Sequence, residues 1–216
     1  LKKLDDARIS HGGASVFGTP RRLAVMVADV AEKQETVTIT LTGPPEKAAL
    51  GADGKYTVAA LKFAEKAGVS ADNLRIAETP KGKYLCADKT EEGIGTIEVL
   101  QEKLPEIILG TPFPKTMKWG SSHIHFARPI QRIAALFGKD VICFKLGDIA
   151  SGRDSAGHRF MSPDTVTLYS PEDYIPKLRS ACVIADMTER RKNIEAEITT
   201  VASAQGGKIL PDAELL

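Results

Sequence analysis

The chain has 216 residues, of which 43% are hydrophobic and 26% are charged. This composition is ordinary for a globular domain and excludes a disordered, collagen-like or coiled-coil protein. Because 29 Lys and Arg nearly balance 28 Asp and Glu, the net charge of +1 provides no chain-wide attraction to nucleic acid or to an anionic membrane, and any basic site must be local.

The first half of the sequence is predicted to mix helices with strands. Residues 36–42 spell TVTITLT, an alternation of β-branched residues that is typical of a strand with one solvent-facing side. In the helix before Gly68, Val58, Leu61 and Phe63 are predicted to form the apolar side. The predicted elements are the end of a helix over 1–9, strands over 22–30 and 36–42 that end at Gly43-Pro44-Pro45, a helix over 57–67, and a hairpin of 74–78 with 83–88.

Helix caps organise the predicted second half. Ser170 with Asp173 three residues later indicates a capped helix start, and Asp186 with Glu189 repeats the pattern before the last helix. The apolar residues of that last helix are expected to form its inner face: Ile194, Ile198 and Val201. The predicted elements are a helix over 95–109 that is kinked or restarted at Pro105, a hairpin of 128–137 with 141–146, a strand over 166–169, a helix over 170–180 and the last helix.

The order of these elements predicts the fold class. Helices interspersed with hairpins favour an α+β fold, with mixed, mostly antiparallel sheets, packed helices and two lobes. We place the domain boundary within residues 147–152. This gives an N-terminal α+β region over 1–149 and a second α+β region over 150–216 that ends in a helix.

The sequence carries no pattern that assigns a catalytic or metal-binding residue. No run approaches the ~20 apolar residues that span a bilayer, so no membrane partner is expected. Cys86, Cys143 and Cys182 are odd in number and form no CxxC pair, which favours a reducing cytoplasm. The spacings GxxxxGK and strand-GxGxxG are missing, which argues against a self-contained ATPase or dehydrogenase. His123 and His125 would share one face of an extended segment and chelate a metal, but no third ligand lies nearby, so a polar loop is preferred.

One segment is locally basic. Residues 112–132 contain four cations and no acidic residue, together with Trp119 and Phe126. Cations interleaved with aromatic residues suit contact with a phosphate backbone and stacking on unpaired RNA bases. The alternative is that the two aromatic residues belong to the core and the cations are ordinary surface. The four cations of the segment are Lys115, Lys118, Arg128 and Arg132, and two shorter stretches look similar, Arg21-Arg22 and Gly157-His158-Arg159-Phe160.

Five spellings occur in a fixed order along the chain. They are Phe17-Gly-Thr-Pro-Arg-Arg-Leu23, Lys115-Thr-Met-Lys-Trp-Gly120, Phe126-Ala-Arg-Pro129 with Arg132, Gly157-His-Arg-Phe160, and Val183-Ile-Ala-Asp186 with Glu189-Arg190-Arg191. Together they closely resemble the N-terminal part of the β subunit of bacterial tetrameric glycyl-tRNA synthetase. The resemblance covers essentially all 216 residues.

This resemblance implies a function and a set of partners. The complete enzyme would be a cytoplasmic ligase that attaches glycine to tRNA(Gly) with ATP and Mg²⁺. It would be an α2β2 heterotetramer in which the α subunit activates glycine, so this region needs no cofactor of its own and is expected to be inactive alone. The β subunit would chiefly bind tRNA.

The resemblance also selects candidate residues without separating their roles. They are expected to contact tRNA or to line the interface with the α subunit. The candidates are Arg21, Arg22, Lys115, Lys118, Trp119, Arg128, Arg132, His158 and Arg159. An alternative is a module that only docks the catalytic subunit. Hydrolytic editing is a third possibility with little physical motive, because a synthetase for glycine can exclude larger amino acids by pocket size.

Overall fold

The computed structural model describes residues 1–51, 54–79, 82–120, 124–210 and 212. The chain forms two compact units. Unit 1 consists of Leu1–Glu32 with Gly95–Leu216, and unit 2 consists of Lys33–Ile94. The boundary that we predicted at 149/150 lies inside unit 1. The compact units therefore divide the chain at other positions, and the predicted pair of regions stays a prediction.

The secondary structure of the described residues confirms the α+β class. The helices are α1 (Lys2–Asp6), α2 (Glu46–Ala49), α3 (Val58–Ala67), α4 (Thr96–Leu109), α5 (Tyr174–Ser180) and α6 (Met187–Ala204). The strands are β1 (Ala14–Thr19), β2 (Arg22–Val27), β3 (Val37–Pro45), β4 (Leu74–Thr79), β5 (Gly82–Glu91), β6 (Met117–Trp119), β7 (Ile124–Phe126), β8 (Ile133–Ala134), β9 (Leu136–Phe137), β10 (Asp140–Val141), β11 (Lys145–Leu146), β12 (Ile149–Gly152), β13 (Asp154–Ala156) and β14 (Thr165–Thr167).

Unit 2 is a three-stranded antiparallel sheet with α3 packed on it. The strand order is β3-β5-β4, and the predicted hairpin of β4 and β5 is confirmed. Our prediction that Gly43-Pro44-Pro45 ends the preceding strand is wrong, because β3 continues to Pro45 through an irregularity after Thr42. Proline is tolerated there because β3 is an edge strand, where a missing N–H leaves no neighbour unpaired.

Small side chains bury α3. The predicted helix over 57–67 is confirmed as Val58–Ala67. It begins after Thr57, whose side chain accepts the Ala60 N–H, and Gly68 follows it in the left-handed conformation. Of the predicted apolar side, Val58 is 69% and Leu61 is 49% exposed, and Phe63 is partly buried. The buried residues of α3 are Ala60, Ala64 and Ala67. Methyl groups let the helix lie close to the sheet, and the partly buried Phe63 ring fills the space above Gly43.

Unit 1 contains a hairpin that the sequence did not predict in full. Strand β1 pairs with β2 in antiparallel register, with Phe17 opposite Ala24 and Val16 opposite Val25. One face of this hairpin packs on a core cluster through Phe17, Ala24 and Met26. The buried members of that cluster are Leu168, Tyr174, Leu178, Val183 and Ala185.

The middle of unit 1 differs from its predicted hairpin. The helix over 95–109 is confirmed as α4, and it runs as one element through Pro105 to Gly110. The predicted hairpin of 128–137 with 141–146 is instead broken into shorter pairs. Strands β9 and β10 are antiparallel, β11 pairs antiparallel with β12, and β8 pairs parallel with β12. The predicted strand over 166–169 corresponds to β14, which pairs with β13.

Both predicted helix caps are confirmed. An Asp173 carboxylate oxygen accepts the Tyr169 and Ser170 N–H groups at 2.7 and 3.3 Å. Asp186 Oδ1 accepts the Thr188 and Glu189 N–H groups at 2.8 and 3.0 Å. None of the helices within the described ranges is long and apolar enough to cross a lipid bilayer.

The predicted inner face of α6 is wrong. The helix has no buried residue in the described part of the chain. Its apolar side chains at positions 194, 198 and 201 are 40%, 38% and 63% exposed. These apolar side chains recur along one side of α6, but the residues that the structure describes do not bury them.

Candidate functional site

The basic segment folds into the β6–β7 hairpin. Lys118 lies opposite His125 in this hairpin, and Trp119 lies opposite Ile124. The half-buried Trp119 donates its Nε1–H to the Phe126 carbonyl at 2.9 Å. The Phe126 and Phe113 rings meet edge to face with centroids 4.7 Å apart. Trp119 is therefore fixed in place within the hairpin, because its one polar group is used internally.

Three of the predicted cations lie in or beside this hairpin. Lys115 lies in the bend before β6, Lys118 lies in β6, and Arg128 lies in the bend after β7. All three are exposed. Within the described ranges, none of the three forms an ion pair with a carboxylate. Residues 112–132 contain no acidic residue, so no carboxylate of the segment itself offsets the positive charge of the hairpin.

A second group of predicted residues meets at β13. Arg22 donates from Nη2 to the Ala156 and Gly157 carbonyls at 2.5 and 3.0 Å. Arg132 donates from Nη1 to the Ser155 carbonyl at 3.2 Å. Three consecutive carbonyls are thus satisfied by two arginines that lie far away in sequence. Both arginines act as structural braces of the segment that leads into His158 and Arg159.

Burial changes the acidity of Arg22. Desolvation lowers the pKa of its guanidinium, the neighbouring charge of Arg21 lowers it further, and Tyr174 acts in the opposite direction. Burial likewise raises the pKa of the Tyr174 hydroxyl. Arg21 itself is exposed in the β1–β2 turn, where its backbone N–H donates to Thr19 Oγ1. Adjacent arginines therefore have different roles, one bracing the fold and one facing solvent.

His158 organises its own loop. Its Nδ1 accepts the N–H groups of Phe160 and Met161 at 3.3 and 3.1 Å, and its backbone N–H donates to the Ala181 carbonyl at 2.8 Å. Because Nδ1 is an acceptor, its proton-bearing nitrogen in this arrangement is Nε2. Arg159 is exposed, and its Cζ lies 5.4 Å from the centre of the Phe160 ring.

Sequence reasoning left Arg190 out of the candidates. Its Nη1 donates to the Gly18 and Ile184 carbonyls at 2.8 and 2.9 Å. The Gly18 N–H also donates to the Ala185 carbonyl at 3.1 Å. The turn that carries Arg21 and Arg22 is thus held in place from α6. Arg190 stands in one of the five spellings given above, which is the signal that would have identified it.

The candidate residues contribute neither to the cavity found in unit 2 nor to a metal site within the described part of the chain. A cavity of about 340 Å³ lies in unit 2, and its lining contains no candidate residue. No three His, Cys, Asp or Glu side chains come together as a metal site in the part of the chain that the structure describes. His123, half of the histidine pair weighed above, lies outside the described residues.

Comparison with known proteins identifies the family. The family model described as "Glycyl-tRNA synthetase beta subunit" matches residues 1–216. The chain is 47% identical over 214 residues to the glycine–tRNA ligase beta subunit of Desulfatibacillum aliphaticivorans, covering 99% of this chain and 31% of the relative. It is 43% identical over 215 residues to that of Myxococcus xanthus, covering 100% of this chain and 31% of the relative. The chain belongs to the glycyl-tRNA synthetase beta subunit family, and it spans about a third of the length of these curated relatives.

Proposed function

We propose that this region is an accessory tRNA-binding and subunit-assembly part of a glycine–tRNA ligase. The complete enzyme attaches glycine to tRNA(Gly) with ATP in the cytoplasm, and the α subunit of an α2β2 heterotetramer activates glycine. The names of the relatives support the ligase. In this proposal ATP and Mg²⁺ serve the complete enzyme, because the resemblance of the chain to the β subunit of that enzyme implies them.

The β6–β7 hairpin supports the tRNA-binding role. Its exposed cations, Lys115, Lys118 and Arg128, have no carboxylate partner in the described part of the chain. An incoming phosphate therefore has no ion pair to break before it binds. Each phosphate contact releases condensed counterions from the RNA, so binding through these residues should weaken steeply as salt increases.

Salt titration of tRNA binding tests this role in the complete synthetase. Changing Lys115, Lys118 or Arg128 to Ala should flatten the slope of log K against log [salt] by roughly 0.7–0.9 per residue. Lys62→Ala is the matched control, because Lys62 is an exposed lysine on α3 of unit 2. An unchanged affinity and slope in the triple variant, or the same change in Lys62→Ala, would refute phosphate contact by the hairpin.

A second candidate function is docking of the catalytic subunit without RNA contact. The outer face of the β1–β2 hairpin supports it, because Val16, Leu23 and Val25 are 57%, 60% and 63% exposed on one face. Contiguous exposed apolar side chains are common at protein–protein contacts. Electrophoretic shift of tRNA(Gly) by the complete β subunit, with and without the α subunit, separates the two functions. A shift without the α subunit favours tRNA binding. A shift only with it, together with loss of the complex in Leu23→Asp, favours docking.

A further inference from the structure

The backbone of the loop from Gly157 to Ser162 is held by several hydrogen bonds. The Gly157 N–H donates to the Asp164 carbonyl at 3.1 Å, and the Ser162 N–H donates to the His158 carbonyl at 3.0 Å. A Cβ at the buried Gly157 would lie 2.1 Å from the Ser162 carbonyl oxygen, so only glycine fits there. The backbone of this loop therefore has little freedom to rearrange.

The tip of the same loop presents large apolar side chains to solvent. Phe160 is 79% exposed and Met161 is 71% exposed. Their backbone N–H groups are both held by His158 Nδ1. The loop thus combines a fixed backbone with an aromatic ring that is 79% exposed and that meets the His158 ring only in a tilted arrangement, with centroids 6.3 Å apart.

The chemistry around Phe160 favours a polyanionic partner. The Arg159 guanidinium lies against the ring, with Cζ 5.4 Å from its centre. Arg22 and Arg132 brace the three residues that precede His158. None of these three arginines forms an ion pair with a carboxylate among the residues that the structure describes. An apolar protein surface would have to desolvate the Arg159 charge, whereas a nucleotide offers a π-face for the ring and a phosphate for the cation.

We propose that Phe160 is a stacking platform for an unpaired nucleobase of the bound tRNA, with Arg159 placed to contact the same nucleotide. This inference rests on the proposed tRNA-binding function and adds a base contact to it. Arg159 lies over the ring, and a flat base stacks on whatever face the guanidinium leaves open. His158 is a positioning residue, because it fixes the backbone of Phe160.

The test compares two RNA probes on the complete synthetase. Phe160→Leu keeps an apolar side chain but loses the aromatic face, so it should weaken tRNA(Gly) binding by about 5- to 100-fold. It should leave binding of a blunt-ended RNA duplex, which has no unpaired base, within about 2-fold of wild type. Phe160→Trp should retain tRNA affinity. Met161→Ala, at the equally exposed neighbouring position, is the matched control and should bind tRNA within about 2-fold of wild type.

The outcomes separate this inference from the proposed function. Wild-type tRNA affinity in Phe160→Leu overturns the stacking role, even if the hairpin variants still weaken binding and so support the proposed function. Equal weakening for tRNA and for the duplex also overturns it. If neither the hairpin variants nor the loop variants differ from the wild-type synthetase in tRNA binding, both proposals are overturned. Because Phe160 is largely exposed, the Phe160→Leu synthetase should unfold at the same midpoint temperature as wild type. This measurement checks that the variant is folded.

His158 gives an independent readout. His158→Ala removes the acceptor of two backbone N–H groups and should weaken tRNA binding in the same direction as Phe160→Leu. His158→Asn places a side-chain oxygen where Nδ1 lies, and Asn commonly accepts N–H groups two and three residues ahead. It should restore tRNA affinity to within about 3-fold of wild type. Failure of Asn to rescue, with a normal unfolding midpoint, would overturn the positioning role.

Discussion

Arg75 of unit 2 and two arginines of unit 1 are held by different kinds of partner, although Arg179 and Arg191 of unit 1 also pair with glutamates. In unit 2, Arg75 of β4 donates to Asp88 of β5 from Nε at 2.9 Å and from Nη2 at 3.1 Å. That charge is neutralised within the sheet. In unit 1, Arg22 and Arg190 donate to main-chain carbonyls instead. A carbonyl satisfies a guanidinium N–H without cancelling its charge, so the same bonds that hold unit 1 together leave it locally positive.

The pKa values of Arg75 and Arg22 move in opposite directions, because Arg75 bonds to a carboxylate and Arg22 is desolvated by burial. The hydrogen bond and the charge of Asp88 raise the pKa of Arg75. Burial lowers the pKa of Arg22.

Strand length explains why unit 1 needs such braces. The carbonyls that Arg22 and Arg132 bind lie in or directly after β13, a strand of three residues, whereas β3 and β5 have nine and ten. Short strands leave many carbonyls without a ladder partner, and long cationic side chains supply the missing donors.

Both units contain an enclosed apolar core, so the loss of a core side chain should affect them similarly. It should also lower the free energy of unfolding more than any other change considered. Leu85 in unit 2 and Leu178 in unit 1 are both 0% exposed. Leu85→Ala and Leu178→Ala should each lower the free energy of unfolding by roughly 2–5 kcal/mol, measured by urea unfolding followed by circular dichroism. A loss below about 1 kcal/mol for either variant would show that the unit concerned does not depend on the enclosed core described here.

The neighbouring arginines of the β1–β2 turn sharpen the comparison. Arg22→Ala leaves the Ala156 and Gly157 carbonyls without their donor and should cost about 1–3 kcal/mol in thermal or chemical unfolding. Arg21→Ala, the matched control at an exposed position, should stay within about 0.5 kcal/mol of wild type. Equal effects of the two substitutions would contradict the assignment of Arg22 as a structural brace.

The smallest effect is expected for the exposed ion pair of unit 2, and it depends on pH. Hydrogen bonds from Arg75 and Thr40 lower the pKa of Asp88 below its ordinary value of 3.8. A carboxyl whose pKa is lower in the folded state stabilises the protein above the ordinary pKa, and this contribution is lost as the pH falls below that value. Asp88→Asn should therefore be less stable than wild type at neutral pH.

The difference between Asp88→Asn and wild type should shrink as the pH falls through the acidic range. Unfolding curves measured from neutral to acidic pH check the sign. The effect at neutral pH should be smaller than that of Arg22→Ala, because solvent screens the exposed Arg75–Asp88 pair. A gap that widens on acidification would contradict the hydrogen-bond account.

Local patterns predicted much of the secondary structure. The caps at Asp173 and Asp186 were predictable because each bonds to a backbone N–H only a few residues away. The β4–β5 hairpin was predictable from two apolar runs flanking a proline–glycine turn. The burial of the alanines of α3 and the exposure of α6 were not predictable, since burial depends on which other segments pack against a helix. A periodic pattern gives the side that can be buried without saying whether it is.

The candidate site divides in the same way. The sequence alone determined the α+β class, the helix ends, and the acid-free segment that becomes the β6–β7 hairpin, because these follow from residue type and short spacing. Only the tertiary structure decided which cations brace the fold and which face solvent. Arg22 and its carbonyl partner Ala156 are 134 residues apart, and no local pattern encodes a contact across that distance. Such a bond forms only after packing has brought the two segments together, and it then fixes the charge where the loop of Phe160 begins.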